Sequence, residues 1–237
     1  MLEIKNLSKK YKGSNVKAID DINITIEPGD VYGFIGPNGA GKSTTIKCVV
    51  GIHEYDEGEI LLDGENIKKN PIKTKKQIAY IPDNPDLYDG LTGAQYLNFI
   101  ADVFSVGEER KEIIKKYSEL FGIENDLGKL VKAYSHGMRQ KLAIISALVH
   151  NPKILIMDEP FVGLDPKATF EVKEILKEMA SEGVTIFFSS HVLEVVEKLC
   201  NKIAIIKNGE LIVTGDMEEV TKNASLEDVF LELTEHA

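Results

Sequence analysis

Gly36-Pro37-Asn38-Gly39-Ala40-Gly41-Lys42-Ser43-Thr44 fits the pattern G-x-x-x-x-G-K-[ST] of a phosphate-binding P-loop. Residues 30–35 precede this stretch and have the apolar character of a buried strand, and residues 44–50 follow it with the pattern of a helix. The motif is meaningful in this order of strand, loop and helix. The sequence therefore predicts a phosphate-binding site at the junction of a strand and a helix.

Each residue type in this loop suits a phosphate ligand. The glycines can adopt backbone conformations in which amide N–H groups turn toward an anion, and the helix that follows directs its positive end to the same place. Lys42 supplies a charge for the β- and γ-phosphates, and the Ser43 hydroxyl can bind Mg²⁺. The loop residues that we expect to contact a nucleotide are Gly36, Asn38, Gly39, Ala40, Gly41, Lys42, Ser43 and Thr44.

The composition limits the classes of function. The 237 residues are 43% hydrophobic, which is enough for a core, and the net charge is −10. An acidic chain argues against nucleic acid as a partner, because duplex binding needs a basic face. The two cysteines, Cys48 and Cys200, are too few for a disulfide framework. The sequence contains no apolar stretch that is long enough to predict a signal peptide or a membrane span. We therefore expect a cytoplasmic protein.

The hydrophobic pattern predicts the fold class. After the P-loop, strand patterns such as 154–157 and 184–188 alternate with helix patterns such as 167–180, which is typical of a parallel sheet covered on both faces. Before residue 63 the patterns favour antiparallel strands, with a hairpin turn at Asp63-Gly64. The prediction is an α/β fold: a P-loop NTPase core with a mostly parallel sheet and an N-terminal antiparallel β portion.

Residues from about 84 to 150 have helical character instead. Thr92 and Gln95 have the spacing of a capping box, and residues 108–121 place apolar side chains on one helical face. Residues 134–140 are expected to open a long helix that continues over 141–149. We expect this region to be a helical lobe that is inserted into a single domain covering residues 1–237.

Polar residues follow the predicted strands at positions where ligands gather. Asp158 and Glu159 end the apolar run 154–157, and the carboxyl ends of parallel strands form the ligand edge of such sheets. Asp158 could hold Mg²⁺ there, while Glu159 could activate a water molecule for attack on the γ-phosphate. The alternative is an acidic pair on the surface, which the P-loop makes less favourable.

Three further features have both a structural and a functional interpretation. Ser135 could cap a helix or present an anion site at its start, and His191 could be structural or catalytic. Residues 68–76 hold five lysines, which indicates a solvated face or, alternatively, a surface close to an anionic membrane.

Together these elements resemble the ATP-binding cassette of ABC transporters over nearly the whole chain. The matching elements are Walker A at 36–43, Walker B at 154–158, the glutamate at 159, the D-loop at 163–165, the histidine at 191, the aromatic residue at 11 and the signature segment at 135–137. The resemblance implies that Glu159 and His191 are catalytic, that Tyr11 stacks on adenine, and that Ser135, Gly137 and Asp165 bind nucleotide.

The resemblance also implies cofactors and partners. ATP and Mg²⁺ are the expected cofactors, and ATP would lie between the Walker motifs of one subunit and the signature helix of a second ABC ATPase subunit. That second subunit could be identical or different. An integral membrane permease is the other expected partner, which would hold the chain at the inner face of the cell membrane. The transported substrate is left open.

The chain departs from the family pattern at two places. The signature Leu-Ser-Gly-Gly-Gln is Tyr134-Ser135-His136-Gly137-Met138 here, and Asp83 stands where the family's Q-loop has glutamine. We expect Asp83 to join Ser43 and Asp158 at the metal. The segments 134–140 and 225–230 are similar to cassettes that serve separate export permeases, so export is favoured over import.

Two other functions compete with transport. A soluble cassette ATPase of translation or DNA repair usually has two cassettes or a long coiled-coil insertion, whereas this chain has one P-loop and no sustained heptad run. A small-molecule kinase on a P-loop fold would not need Ser135, the D-loop or His191. The motifs therefore favour the ATP-hydrolysing subunit of a transporter.

Overall fold

The computed structural model describes residues 1–222 and 224–235. The strands are β1 (Leu2–Lys9), β2 (Ile19–Ile26), β3 (Val31–Ile35), β4 (Glu57–Leu62), β5 (Glu65–Asn66), β6 (Ile78–Ile81), β7 (Ile154–Asp158), β8 (Thr185–Ser190), β9 (Lys202–Lys207) and β10 (Glu210–Asp216). The helices are α1 (Lys42–Val49), α2 (Pro71–Lys75), α3 (Gly93–Val103), α4 (Arg110–Leu120), α5 (His136–Leu148), α6 (Pro166–Ser181), α7 (Leu193–Leu199), α8 (Met217–Thr221) and α9 (Leu226–Glu235).

The strands form two separate sheets. One sheet has the order β10-β9-β3-β8-β7-β6, and all its neighbouring pairs are parallel except β9 and β10. The other sheet has the order β2-β1-β4-β5 and is antiparallel. The predicted α/β fold class is confirmed, including the N-terminal antiparallel portion.

Strand β3 is buried on both of its faces. Val31 and Ile35 pack in the core beneath the helices, whereas Tyr32 and Phe34 pack in a second core against the antiparallel sheet. A strand between two cores must be apolar at every position, which explains the uninterrupted apolar run before the P-loop. The loop therefore leaves the sheet from a strand that is held by packing on both sides.

The region from 84 to 150 contains α3, α4 and α5, joined by short 3₁₀ turns at Glu124–Asp126 and Val131–Ala133. The capping box is present, because Thr92 and Gln95 exchange side-chain and backbone hydrogen bonds. Helix α5 begins at His136, and the Ser135 hydroxyl caps it by accepting from the Met138 N–H at 3.3 Å, which is the structural role expected of this serine. The division of this region as an inserted lobe stays a prediction.

No helix within the described ranges 1–222 and 224–235 combines the length and the apolar character that crossing a bilayer requires.

Asp30 joins the parallel sheet to the turn that precedes it. Its carboxylate accepts hydrogen bonds from Asn201 Nδ2 at 2.9 Å, Lys202 Nζ at 2.9 Å and the Glu27 N–H at 2.8 Å. Burial acts to raise the pKa of Asp30, but these hydrogen bonds outweigh it, and the pKa is lowered. The carboxylate is therefore more stable in the folded state than in the unfolded chain.

We expect Asp30→Asn to lower the free energy of unfolding at neutral pH by about 2 kcal/mol, because charged hydrogen bonds are lost. A lowered folded pKa gives stability that is present above the ordinary aspartate pKa and lost as the pH falls through the folded value. Urea unfolding of both proteins at neutral pH and below pH 4 measures this difference. A deficit of the same size at every pH would contradict the role assigned to the ionised carboxylate.

Candidate functional site

The P-loop encloses a small cavity at the end of β3. Gly39 and Gly41 have φ values of +79° and +114°, in the region that favours glycine. A Cβ atom at Gly36 would lie 2.2 Å from the Ile206 carbonyl oxygen, so no larger residue fits there. The cavity has a volume of about 260 Å³. It is lined by Ala18, Asn38, Gly39, Gly41, Lys42, Ser43, Thr44, Asp83 and Glu159.

Lys42 is the positive charge of this cavity. Its Nζ atom donates to the carbonyl oxygens of Gly36 at 2.7 Å and Pro37 at 3.2 Å, and the residue is buried. Burial lowers the pKa of Lys42, whereas the negative charges of Glu159 and Asp158 act to raise it. A phosphate group would add negative charge beside a desolvated ammonium group, so the loop fits a phosphate ligand.

Tyr11 lies beside the P-loop, outside the cavity. Its hydroxyl is 3.2 Å from Thr44 Oγ1, and its ring contacts His53 edge to face with centroids 5.8 Å apart. The tyrosine is 40% exposed, and Lys9 Nζ lies over its ring at 5.8 Å from the centroid. Thr44 therefore connects the expected adenine-stacking residue to the phosphate loop.

Asp158 and Glu159 lie at the carboxyl end of β7, as expected. Asp158 is buried and its Oδ1 atom accepts from Ser189 Oγ at 2.6 Å. Glu159 has a φ of +51°, and its N–H donates to Ser189 Oγ at 3.1 Å and to the Ser189 carbonyl oxygen at 3.2 Å. These bonds hold a backbone conformation that is uncommon for glutamate, and such conformations concentrate at functional sites.

His191 holds the Glu159 side chain. Glu159 Oε2 lies 2.8 Å from His191 Nδ1 and accepts from the His191 N–H at 3.2 Å. The histidine follows β8, the neighbour of β7, so parallel pairing brings the two residues together across the sheet edge. The two residues expected to be catalytic are therefore in direct contact.

The donor atoms at this edge fit a magnesium ion that arrives with a nucleotide. Within residues 1–222 and 224–235 no group of three or more His, Cys, Asp or Glu side chains could hold a metal. Mg²⁺ commonly binds through one or two protein oxygens, substrate phosphates and water, and does not need such a group. The Asp158 carboxylate, the Ser43 hydroxyl and the exposed Asp83 carboxylate supply oxygens of this kind.

Ser135, Gly137 and Asp165 lie together in a second cluster that does not line the P-loop cavity. Asp165 caps α6 by accepting from the Ala168 N–H at 2.8 Å, and Lys141 of α5 donates to it at 2.8 Å. The helix that starts at Ser135 is therefore bonded to the loop that follows Glu159. Within one chain, these three residues remain apart from the phosphate loop.

His136 and Gly137 extend this connection. A Cβ atom on Gly163 would lie 2.3 Å from His136 Cδ2, and one on Gly137 would lie 2.9 Å from the Gly163 carbonyl oxygen. The first turn of α5 and the loop at 163–165 are thus in contact, and neither glycine leaves room for a larger residue.

Sequence reasoning did not identify Ser189 or Lys141 as functional. Ser189 binds both the Asp158 side chain and the Glu159 backbone, but only the register of β7 against β8, which pairs Asp158 with Ser189, reveals this. The one available signal was its position at the carboxyl end of a predicted strand, two residues before His191.

Ser189→Ala should reduce ATP hydrolysis by about 10- to 100-fold, the usual cost of losing a partner that orients a metal ligand. The change removes one hydroxyl and leaves Asp158 Oδ1 without this donor. Ser190→Ala is the matched control, because the Ser190 hydroxyl instead accepts from the Val192 N–H at 3.0 Å. Steady-state turnover of both folded variants decides the point: an equal effect of the two changes would remove Ser189 from the site.

Known proteins provide an independent comparison. The family model for the ABC transporter matches residues 19–162. The uncharacterised ABC transporter ATP-binding protein YhcH of Bacillus subtilis (strain 168) is 42% identical over 213 residues, covering 90% of this chain and 68% of that protein. The bacitracin transport ATP-binding protein BcrA of Bacillus licheniformis is 38% identical over 213 residues, with the same two coverages.

The fold is also similar to that of solved ABC transporter subunits. A solved structure of an ATP-binding subunit of an ABC transporter superposes with a TM-score of 0.94 at 33% sequence identity, and the match covers 99% of both chains. The family model, the relatives and this structure agree with the resemblance of the motifs. The chain belongs to the ABC transporter family, in which it is an ATP-binding and ATP-hydrolysing subunit.

Proposed function

We propose that this subunit hydrolyses ATP between two cassettes and thereby drives export of a substrate through a separate membrane permease. The observation that supports it best is the contact of Glu159 with His191 at the edge of the P-loop cavity, 2.8 Å between Oε2 and Nδ1. A carboxylate that is held beside a phosphate loop is the arrangement that phosphoryl transfer to water needs.

In this proposal different residues bind different parts of the nucleotide. The amide groups of the P-loop and the Lys42 ammonium group bind the phosphates, and Tyr11 stacks on the adenine. Ser43, Asp158 and Asp83 supply oxygen ligands for Mg²⁺. The ion would neutralise negative charge on the phosphates when it is bound.

Glu159 acts as the general base in the same proposal. Its carboxylate accepts a hydrogen bond from the attacking water and takes up the proton as the water oxygen forms its new bond to the γ-phosphorus. The bond from that phosphorus to the bridging oxygen breaks, and ADP leaves with the electron pair on that oxygen. His191 orients the carboxylate through its backbone N–H and its ring nitrogen. Ser189 orients the backbone of the glutamate and the side chain of Asp158.

Two chains are required because the signature residues of one chain are separate from its own phosphate loop. Ser135 and Gly137 start α5, where free N–H groups and the positive helix end can bind an anion. A symmetric head-to-tail pair would place this helix start over the partner's nucleotide, and the partner's helix over this one. Asp165 would then lie at the same contact.

The direction of transport rests on similarity of sequence. The signature segment at 134–140 and the segment at 225–230 are similar to those of cassettes that serve separate export permeases. A soluble ATPase of translation or DNA repair is the second candidate. The net charge of −10 and the single P-loop favour the transporter.

Glu159→Gln and Asp83→Gln should separate the two carboxylates that line the cavity. Loss of a general base lowers turnover by about 10²- to 10⁴-fold while nucleotide still binds, so Glu159→Gln should bind ATP and accumulate as a closed dimer. Asp83→Gln should change basal turnover by less than about tenfold. The Asp83 carboxylate is a better Mg²⁺ ligand than an amide, but it adds a negative charge beside the phosphates, and these two effects oppose each other.

The measurement is ATP turnover of both variants, alone and with any membrane protein that is encoded beside this gene. Asp83 should affect stimulation by that protein more than basal turnover, because its loop leads into α3. If Asp83→Gln traps ATP while Glu159→Gln still turns over, the two roles are reversed. If no neighbouring membrane protein binds the subunit or changes its turnover, the transport proposal is wrong while the assignment of the base can stand.

Hydrolysis should require two chains. Activity per subunit should rise with protein concentration, because association assembles each site from two surfaces. A Lys42→Ala chain and a Ser135→Arg chain should each be inactive alone, and their mixture should regain at most one competent site per mixed dimer. Unchanged activity per subunit from a protein that light scattering shows to be monomeric would exclude the two-chain site.

A further inference from the structure

Residues 65–77 form a basic segment in an acidic protein. They contain five lysines and one glutamate, whereas the whole chain has a net charge of −10. We call the five lysines the lysine patch, and all of their side chains are exposed. The members are Lys68, Lys69, Lys73, Lys75 and Lys76. Such a concentration of one charge is not needed for solubility of a protein that is already strongly charged.

The short helix α2 orients this segment. Thr74 is its buried residue, and the Thr74 hydroxyl donates to the Asn70 carbonyl at 2.9 Å and to the Pro71 carbonyl at 3.2 Å. Ile72 lies two positions earlier, so it projects from the opposite side of the helix, where it is 75% exposed. The fold therefore presents an isoleucine among the lysines instead of burying it.

A second exposed isoleucine lies at the border of the patch. Ile52 is 57% exposed and shares a cavity of about 300 Å³ with Lys75. A Cβ atom on Gly51 would lie 3.3 Å from Lys75 Cε, so the turn after α1 touches the patch. An exposed apolar side chain thus lies beside one lysine of the patch, in addition to Ile72 on α2 itself.

Only part of the positive charge of the lysine patch is paired with groups of the same chain. Lys73 binds Glu65 at 2.5 Å, and Lys68 lies 3.4 Å from the centre of the Tyr55 ring. Among residues 1–222 and 224–235, no ion pair is formed by the ammonium groups of Lys69, Lys75 or Lys76. Three charges are therefore available to an external anion.

We propose that the lysine patch and Ile72 bind the surface of an anionic phospholipid bilayer directly. Clusters of lysines on a surface attract anionic headgroups, and each lysine contributes about fivefold to membrane partitioning. An exposed isoleucine can enter the boundary between headgroups and acyl chains, which adds apolar burial to the attraction. Salt screens charges beyond about 8 Å, so the patch acts locally although the rest of the chain is acidic.

A bilayer fits the surface better than nucleic acid does. Phosphodiester groups would use the lysines but not Ile72 or Ile52, whereas a bilayer uses both kinds of side chain. The proposal does not depend on the export reaction, because contact with lipid needs neither the permease nor ATP hydrolysis. It assigns the membrane-facing side of the subunit to the surface around α2.

The test uses the purified full chain and vesicles of phosphatidylcholine, with and without about one third phosphatidylglycerol. Sedimentation at low salt should show binding to the anionic vesicles, and high salt should weaken it. Lys69→Gln with Lys76→Gln should lower the partition coefficient by about 25-fold, as two lysines are removed. Ile72→Ser should lower it by a smaller factor.

Lys115→Gln with Lys116→Gln is the matched control, because it removes the same charge from the exposed face of α4. This control should bind the vesicles like the unchanged protein, and ATP turnover in solution should be the same for all variants. Equal losses in the two double variants would assign the effect to net charge and overturn the proposal. Equal binding to uncharged vesicles, or lysine-dependent binding to single-stranded DNA without vesicle binding, would also overturn it.

Discussion

The close approach of the P-loop to both sheets is the constraint on which the site depends. Gly36 lies against the carbonyl of Ile206 in β9, and a Cβ atom on Gly36 would lie 2.2 Å from that carbonyl oxygen. A Cβ atom on Gly41 would lie 2.7 Å from the carbonyl oxygen of Ala18, just before β2. The Gly209 N–H donates to the Ala40 carbonyl at 2.9 Å, and the Gly209 carbonyl accepts from the Asp20 N–H. The loop thus contacts both the parallel and the antiparallel sheet, and glycine permits that contact.

Local patterns were sufficient to predict the features that depend on neighbouring residues in sequence. The apolar run of β3 and the alternation in β2 follow from burial on two faces and on one face, respectively. The P-loop and Asp158 were found because a motif or a pair of charges follows a strand. The Asn208-Gly209 turn between β9 and β10 depends on neighbouring residues in the same way.

Features that depend on register between distant strands were not predictable from one sequence. Ser189 becomes part of the site only because β7 and β8 pair in parallel with Asp158 opposite it. The left-handed conformation of Glu159 likewise depends on hydrogen bonds from another strand.

The ion pair of Lys141 with Asp165 has a consequence for how two bound nucleotides affect each other. Asp165 follows Glu159 by six residues, in the loop that leaves the carboxyl end of β7 beside the chain's own P-loop cavity. In the proposed dimer, α5 would instead serve the nucleotide of the other chain. A movement of either element would therefore act on the other through this ion pair. By thermodynamic linkage the effect must be reciprocal, so the two occupancies would be cooperative rather than independent.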